Sequence, residues 1–189
     1  MKNLVLVDFD KTLYQKDSLL EYTKFYKGKY IFYKGLIYFL PYFIKWKLGI
    51  ISNELAKKKF INYFFKNEKY SEFWAKGNEF ANHYIQKDIN PKIWKIILNH
   101  QKKNDDIYIV TASFSEWIMA WSSKNNIKII ATIPEQINYR LTGDFLSKNC
   151  YGKEKVNRIK IEIHLKSYDA IYVYGFGKGD YEMLQLKRP

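Results

Sequence analysis

Cysteine occurs once in this chain, at Cys150, so no intrachain disulfide can form and a reducing compartment suits the sequence. Arginine is almost as scarce: Arg140, Arg158 and Arg188 are the whole supply. The three histidines, His83, His100 and His164, show no metal-ligand spacing and read as structural or solvated. Long uncharged apolar runs are missing too. The most membrane-like stretch, Tyr30 to Ile51, is interrupted by Lys34, Pro41, Lys45 and Lys47. Its longest uncharged segment, Gly35 to Ile44, falls well short of the roughly 20 residues a span requires. The expectation is no transmembrane segment and a buried helix pair in this region. The N-terminus, Met-Lys-Asn-Leu-Val-Leu-Val-Asp, turns acidic too early for a signal peptide. With the lone cysteine, this reads as a cytoplasmic protein.

Acids are in deficit. Against 19 acidic residues stand 32 basic ones, a formal charge of +13. Such an excess suits anionic partners: nucleic acid, an anionic membrane or an anionic substrate. The lysines are spread along the chain and rarely form a dense block, so a solvated surface accounts for most of them and no nucleic acid is expected. What the chain has in plenty is apolar mass, 47% hydrophobic and 19% aromatic over 189 residues. That is enough for one domain with an inserted subdomain.

The apolar run Leu4 to Val7 reads as a buried strand. Residues 16–86 look helical throughout, with apolar residues at helical spacing in Phe60, Phe64, Phe65 and again in Phe73, Phe80, Tyr84. Gly28, Pro41, Gly49 and Asn67-Glu68 punctuate the block, and Ser18 and Ser52 are candidate N-caps. Alternation resumes with a helix from Pro91 and a strand over Ile107–Val110. Then come a helix over Glu116–Lys124, a strand over Ile127–Ala131 and a small hairpin over Gln136–Phe145. A helix from Lys153 and a strand over Ala170–Tyr174 complete the series. This order predicts an α/β fold: a Rossmann-like, three-layer, doubly wound parallel sheet with an inserted α-helical cap. The expected division is a core of residues 1–15 and 88–189 and a cap of residues 16–87.

The first strand ends abruptly in two carboxylates, Asp8 and Asp10, with a hydroxyl at Thr12. In doubly wound sheets the carboxyl ends of the strands share one edge, where ligands bind. Two other strand ends there present Thr111 with Ser113, and Asp180; Lys153 or Lys155, opening a helix, can join them. Paired acids at a strand tip need a cation or another partner. Carboxylates, hydroxyls and one lysine around a hard cation such as Mg²⁺ suit phosphoryl transfer. One carboxylate can attack phosphorus while another moves the leaving-group proton. Cys150 has no plausible partner, and of the aromatic residues Tyr22, Phe25, Tyr26, Trp46 and Tyr84 are candidates to shape a pocket.

These residues resemble the motifs of the haloacid dehalogenase superfamily. Asp8-Phe9-Asp10-Lys11-Thr12-Leu13 is similar to its first motif, and Ile107 to Thr111 to its second. Gly152-Lys153-Glu154-Lys155-Val156 resembles the third-motif region of the phosphoserine-phosphatase-like branch, and Tyr174 to Leu184 the fourth motif. The helical insert resembles that branch's cap. The resemblance implies a Mg²⁺-dependent phosphatase acting on a small phosphomonoester, a phosphorylated sugar, amino alcohol or amino acid. The route would be an aspartyl-phosphate. By the same resemblance, Asp8 is nucleophile and metal ligand. Asp10 is general acid/base, with its main-chain carbonyl on the metal. Thr111 bonds the phosphoryl group, Lys155 neutralises Asp8 and the phosphoryl oxygens, and Asp180 holds the metal directly or through water. Thr12 and Ser113 are placed with the substrate. The resemblance breaks at Phe176, where the family usually carries an acid. That opens a second reading, a catalytically weakened protein that binds or senses a phosphometabolite. The chain's end at Pro189, soon after the fourth motif, suggests a shortened member with an exposed sheet edge.

Overall fold

Strand β1 (Leu4–Val7) is buried on both faces, and every one of its four residues is solvent-inaccessible. In this computed structural model, which describes residues 2–189, it sits in the middle of a parallel sheet. Leu4 and Leu6 point into one apolar layer, Val5 and Val7 into the other, as a period of two requires. β1 pairs with β2 (Asp106–Phe114), and β2 with β3 (Lys128–Thr132). A hairpin, β4 (Pro134–Ile137) and β5 (Arg140–Phe145), then turns at Asn138 and Tyr139. Both turn residues have positive φ, the signature of a type I′ turn. The last strand, β6 (Ile171–Tyr174), returns to the other side of β1, giving the order β3-β2-β1-β6. The direction of winding therefore reverses at β1, which makes its carboxyl end the switch point where such sheets bind ligands.

Four helices make up the insert that follows β1: α1 (Ser18–Lys27), α2 (Lys29–Lys47), α3 (Asn53–Phe65) and α4 (Tyr70–His83). Ser52 caps α3 by accepting from the Leu55 N–H at 3.1 Å, as expected. On α1 the cap is Asp17, which accepts from the Leu20 N–H, so the candidate Ser18 is the first helical residue instead. Pro41 does not end α2; the helix runs through it to Lys47. α2 also corrects the expectation of a buried pair. Phe32, Gly35 and Phe39 are buried, but Tyr30, Ile37 and Leu48 are 80%, 76% and 69% exposed. Among the described residues no helix is long and apolar enough to cross a membrane.

The insert meets the sheet in one continuous apolar cluster, running from Val5, Val7 and Ile109 through Trp117 to Phe73, Phe65 and Phe39. Tyr22 is its hub. Its ring stacks on Trp117 with centroids 4.9 Å apart and meets Phe73 and Phe80 edge-on, while its hydroxyl donates to the Phe73 carbonyl. The insert is also tethered at a narrow neck. The Gln15 N–H donates to the Asp88 carbonyl and the Asn90 N–H to the Leu13 carbonyl, so the outgoing and returning segments lie side by side. A further tie comes from β5, where Leu141 exchanges backbone hydrogen bonds with Asn67 and Glu68 between α3 and α4.

Outside the insert, α5 (Pro91–Lys102), α6 (Met119–Lys124), α7 (Lys153–Glu162) and the short α8 (Tyr181–Leu184) complete the helices. α5 is capped by Asn90 with proline at its first position, as the sequence suggests. His100 is buried between Asp105 and Tyr174, a structural role.

α4 crosses the turn Ser115–Trp117 at Gly77, where an added Cβ would run into the Glu116 backbone carbonyl. Helix propensity alone would favour alanine by up to ~1 kcal/mol. The collision is with backbone and opposes it, so Gly77→Ala is expected to lower stability by about 1–3 kcal/mol in urea unfolding.

Candidate active site

At the carboxyl edge of the sheet, Asp8 is the first residue past β1, and its N–H donates to the Tyr174 carbonyl at the end of β6. Its side chain is held at both oxygens. Thr12 donates its hydroxyl to Oδ2 at 2.9 Å, and Lys155 Nζ donates to Oδ1 at 2.6 Å. The tight turn that lets Thr12 reach back has Lys11 in the left-handed region, φ +60°. Lys155, in the first turn of α7, gives a second bond to Asp180 Oδ1, also 2.6 Å. Asp180 Oδ2 takes the Gly177 N–H at 2.8 Å, which fixes the loop after β6. All three charged groups are buried, Lys155 and Asp180 to within 2%.

Burial pushes the Asp8 carboxyl up to about 6; Lys155 pulls it down and Asp180 pushes it up again. Burial disfavours the Lys155 ammonium, but the two carboxylates outweigh this and hold it above the ordinary lysine value. Asp10 is set differently. Its Oδ1 accepts the Ser18 N–H at 2.5 Å and its Oδ2 the Ser113 hydroxyl at 2.6 Å. Burial and then the nearby Asp17 raise its pKa, against the hydrogen bonds from Ser113 and Ser18. Ser18 itself is fixed by the Trp117 indole N–H at 2.9 Å, so the insert's first helix positions Asp10.

A cavity of about 600 Å³ opens over these groups, lined by Asp8, Asp10, Thr111, Ser113, Lys155 and Asp180. Thr12 stands behind Asp8 and is not among the lining residues. Thr111 is buried, and its Oγ1 accepts the Ser113 N–H at 3.0 Å. Lys153, the other lysine of the helix start, does not line the cavity. Of the five aromatic candidates only Trp46 lines it, joined by Phe43 and Phe60, which the sequence did not single out for the pocket; Tyr22 lies in the core. Phe176 is 72% exposed and is not among the residues lining the cavity.

Sequence reading missed Lys57. From α3 it spans to the core, donating to the Ala112 carbonyl and to Asn149 Oδ1, and it lines the cavity near Asp10. Asn149 in turn donates to Asn53 on α3. In the sequence Lys57 opens a run of three lysines and nothing marks it out; only the fold shows that it faces inward while Lys59 faces solvent. Burial brings its pKa down to about 8, with Asp10 and Asp17 working the other way.

The donor set can be tested against Mg²⁺. Among the described residues no three acidic, histidine or cysteine side chains cluster as a metal cage. Mg²⁺ does not require one: one or two carboxylates, with water and phosphate oxygens, are its usual complement. Asp8 and Asp180, converging on one ammonium with a net negative charge, fit that requirement.

The family model for haloacid dehalogenase-like hydrolases matches residues 5–185. The chain belongs to that family. No curated protein matches it closely by sequence. Several solved structures share the fold. A protein of unknown function from Bordetella pertussis Tohama I superposes with a TM-score of 0.80 at 19% identity, over 99% of this chain and 87% of that one. A phosphoserine phosphohydrolase-like protein from Francisella tularensis subsp. tularensis SCHU S4 gives 0.63 at 22%, over 98% and 82%. A substrate-bound phosphoserine phosphatase gives 0.63 at 17%, over 99% and 83%.

Two outcomes are expected. Lys155→Met leaves two buried carboxylates uncompensated and is expected to cost about 3–5 kcal/mol in chemical unfolding, part of which Asp180→Asn should restore. Lys57 has a folded pKa near 8 against 10.5 when free, so the unfolded chain binds more protons between those values and stability rises with pH across that window. The parent should therefore gain stability relative to Lys57→Met as pH climbs from about 8 toward 10.5; a pH-independent difference would contradict the burial of that charge.

Proposed function

We propose that this hydrolase is a Mg²⁺-dependent phosphatase that cleaves a small phosphomonoester through an aspartyl-phosphate. The observation that carries the reading is the unlike pair of carboxylates at the end of β1. Asp8 is paired with an ammonium and pinned at both oxygens, which suits a charged nucleophile in a fixed direction. Asp10 has no cationic hydrogen-bond partner, and its raised pKa favours the protonated form that an acid must hold before it gives its proton away.

Asp8 attacks phosphorus while Asp10 delivers a proton to the leaving oxygen. Asp10, now a carboxylate, takes a proton from water as it opens the acyl-phosphate. Lys155 neutralises charge beside Asp8, and Thr111 and Ser113 offer hydroxyls to the phosphoryl oxygens. Lys57 is a further cation on the cavity wall. Asp8 and Asp180, with the Asp10 main-chain carbonyl, would hold Mg²⁺, which when bound would offset the negative charge shared by phosphate and carboxylates. The helices of residues 16–87 act as the cap that excludes bulk water. On the insert's side the cavity is lined by Leu19, Leu20, Phe43 and Phe60 together with the polar Asp17, Lys47, Asn53 and Lys57, and by no arginine, so the leaving group would meet a wall of mixed character.

Phosphate release from a panel of phosphorylated sugars, amino alcohols and amino acids with Mg²⁺ tests the reading. Asp8→Asn should abolish turnover, and Asp10→Asn should slow it by about 10²–10⁴-fold. An absence of release across the panel, with phosphometabolite binding retained, would instead support the sensing role that Phe176 suggests.

A further inference from the structure

α2 is apolar on two opposite faces. One face, with Phe32, Gly35 and Phe39, is buried against the core. The opposite face carries Tyr30, Tyr33, Ile37, Leu40, Ile44 and Leu48 at spacings of three and four, and all are exposed. A helix of this kind is normally covered on both faces, by protein or by lipid. The charges on and beside it have one sign. From Tyr22 to Asn53 there is no acidic residue, while Lys24, Lys27, Lys29, Lys34, Lys45 and Lys47 fall in that stretch. Lys29, Lys34, Lys45 and Lys47 make no ion pair among the described residues.

We infer that the outer face of α2 docks this protein on an anionic membrane surface, lying in the interface without crossing it. An apolar stripe flanked by lysines, with tyrosines along it and tryptophan near its end, is the composition of an interfacial helix. Self-association through the same face would bring lysines of two copies together with no acid in the patch to meet them. Nucleic acid would use the lysines and leave the stripe bare. Phe43, Trp46 and Lys47 at the end of α2 line the active-site cavity, so docking places one wall of that cavity at the lipid surface. Docking needs α2 alone and stands apart from the phosphatase reading.

Flotation of the full chain with vesicles of phosphatidylcholine, alone or mixed with phosphatidylglycerol, tests this. Binding is expected to the anionic vesicles only, and to fall steeply in about 1 M salt, where the screening length shrinks to ~3 Å. Ile37→Glu with Ile44→Glu should reduce it by at least about tenfold, since each burial lost is worth more than 1.4 kcal/mol. Lys34→Gln and Lys45→Gln should each weaken it by about fivefold. Unchanged thermal unfolding of these variants certifies their fold. Asp8→Asn should float like the parent, which separates docking from turnover. Absence of binding to anionic vesicles, or binding untouched by the glutamates, overturns the inference. So does a dimer in sedimentation velocity that the glutamates dissolve while vesicles bind neither form.

Discussion

Lys155 stands between Asp8 and Asp180, and the rest of the site is arranged around that contact. Each of the three groups would cost several kcal/mol to bury alone. Together they tie the end of β1, the start of α7 and the loop after β6 to one point. The bookkeeping of charge leaves one negative in excess, with Asp10 nearby. A phosphate dianion approaching such a site is repelled unless cations share the cavity. Lys57, reaching in from α3, is one that the chain supplies itself, and in the proposed mechanism a divalent ion would be the second.

Two carboxylates two residues apart sit in different surroundings because the fold gives them different neighbours. Asp8 meets an ammonium and a hydroxyl; Asp10 meets a hydroxyl, a helix-start N–H and the field of Asp17. The second set is completed by Ser18 and Trp117, whose positions depend on the aromatic cluster under the insert. The apolar packing of the helices therefore reaches the Asp10 carboxylate through two hydrogen bonds.

Much of this was legible in the sequence. Alternating strands and helices foretold the parallel sheet, and acids and hydroxyls at strand ends foretold where polar groups would gather, because the period of two and the switch point leave few alternatives. Asp8, Asp10, Thr111, Ser113, Lys155 and Asp180 do line one cavity. What could not be read were contacts set by tertiary packing. Lys57 looks like its neighbours in a run of lysines until α3 is rotated against the core. Asp17 rather than Ser18 caps α1, since both residue types cap well and only backbone geometry chooses. Pro41 punctuates the sequence yet lies within α2. The outer face of that helix was hidden by its own composition, because apolar residues on both faces read as burial on both.

The neck at residues 13–15 and 88–90 has an evolutionary consequence. A chain that leaves and rejoins the sheet at adjacent points can gain, lose or exchange whatever hangs between them without disturbing strand order. In topology the four helices are therefore a replaceable module. In energy they are not, because Val5, Val7 and Ile109 share one cluster with Phe39, Phe65 and Phe73. Any substitute for the insert must bring its own apolar surface to cover that side of the sheet.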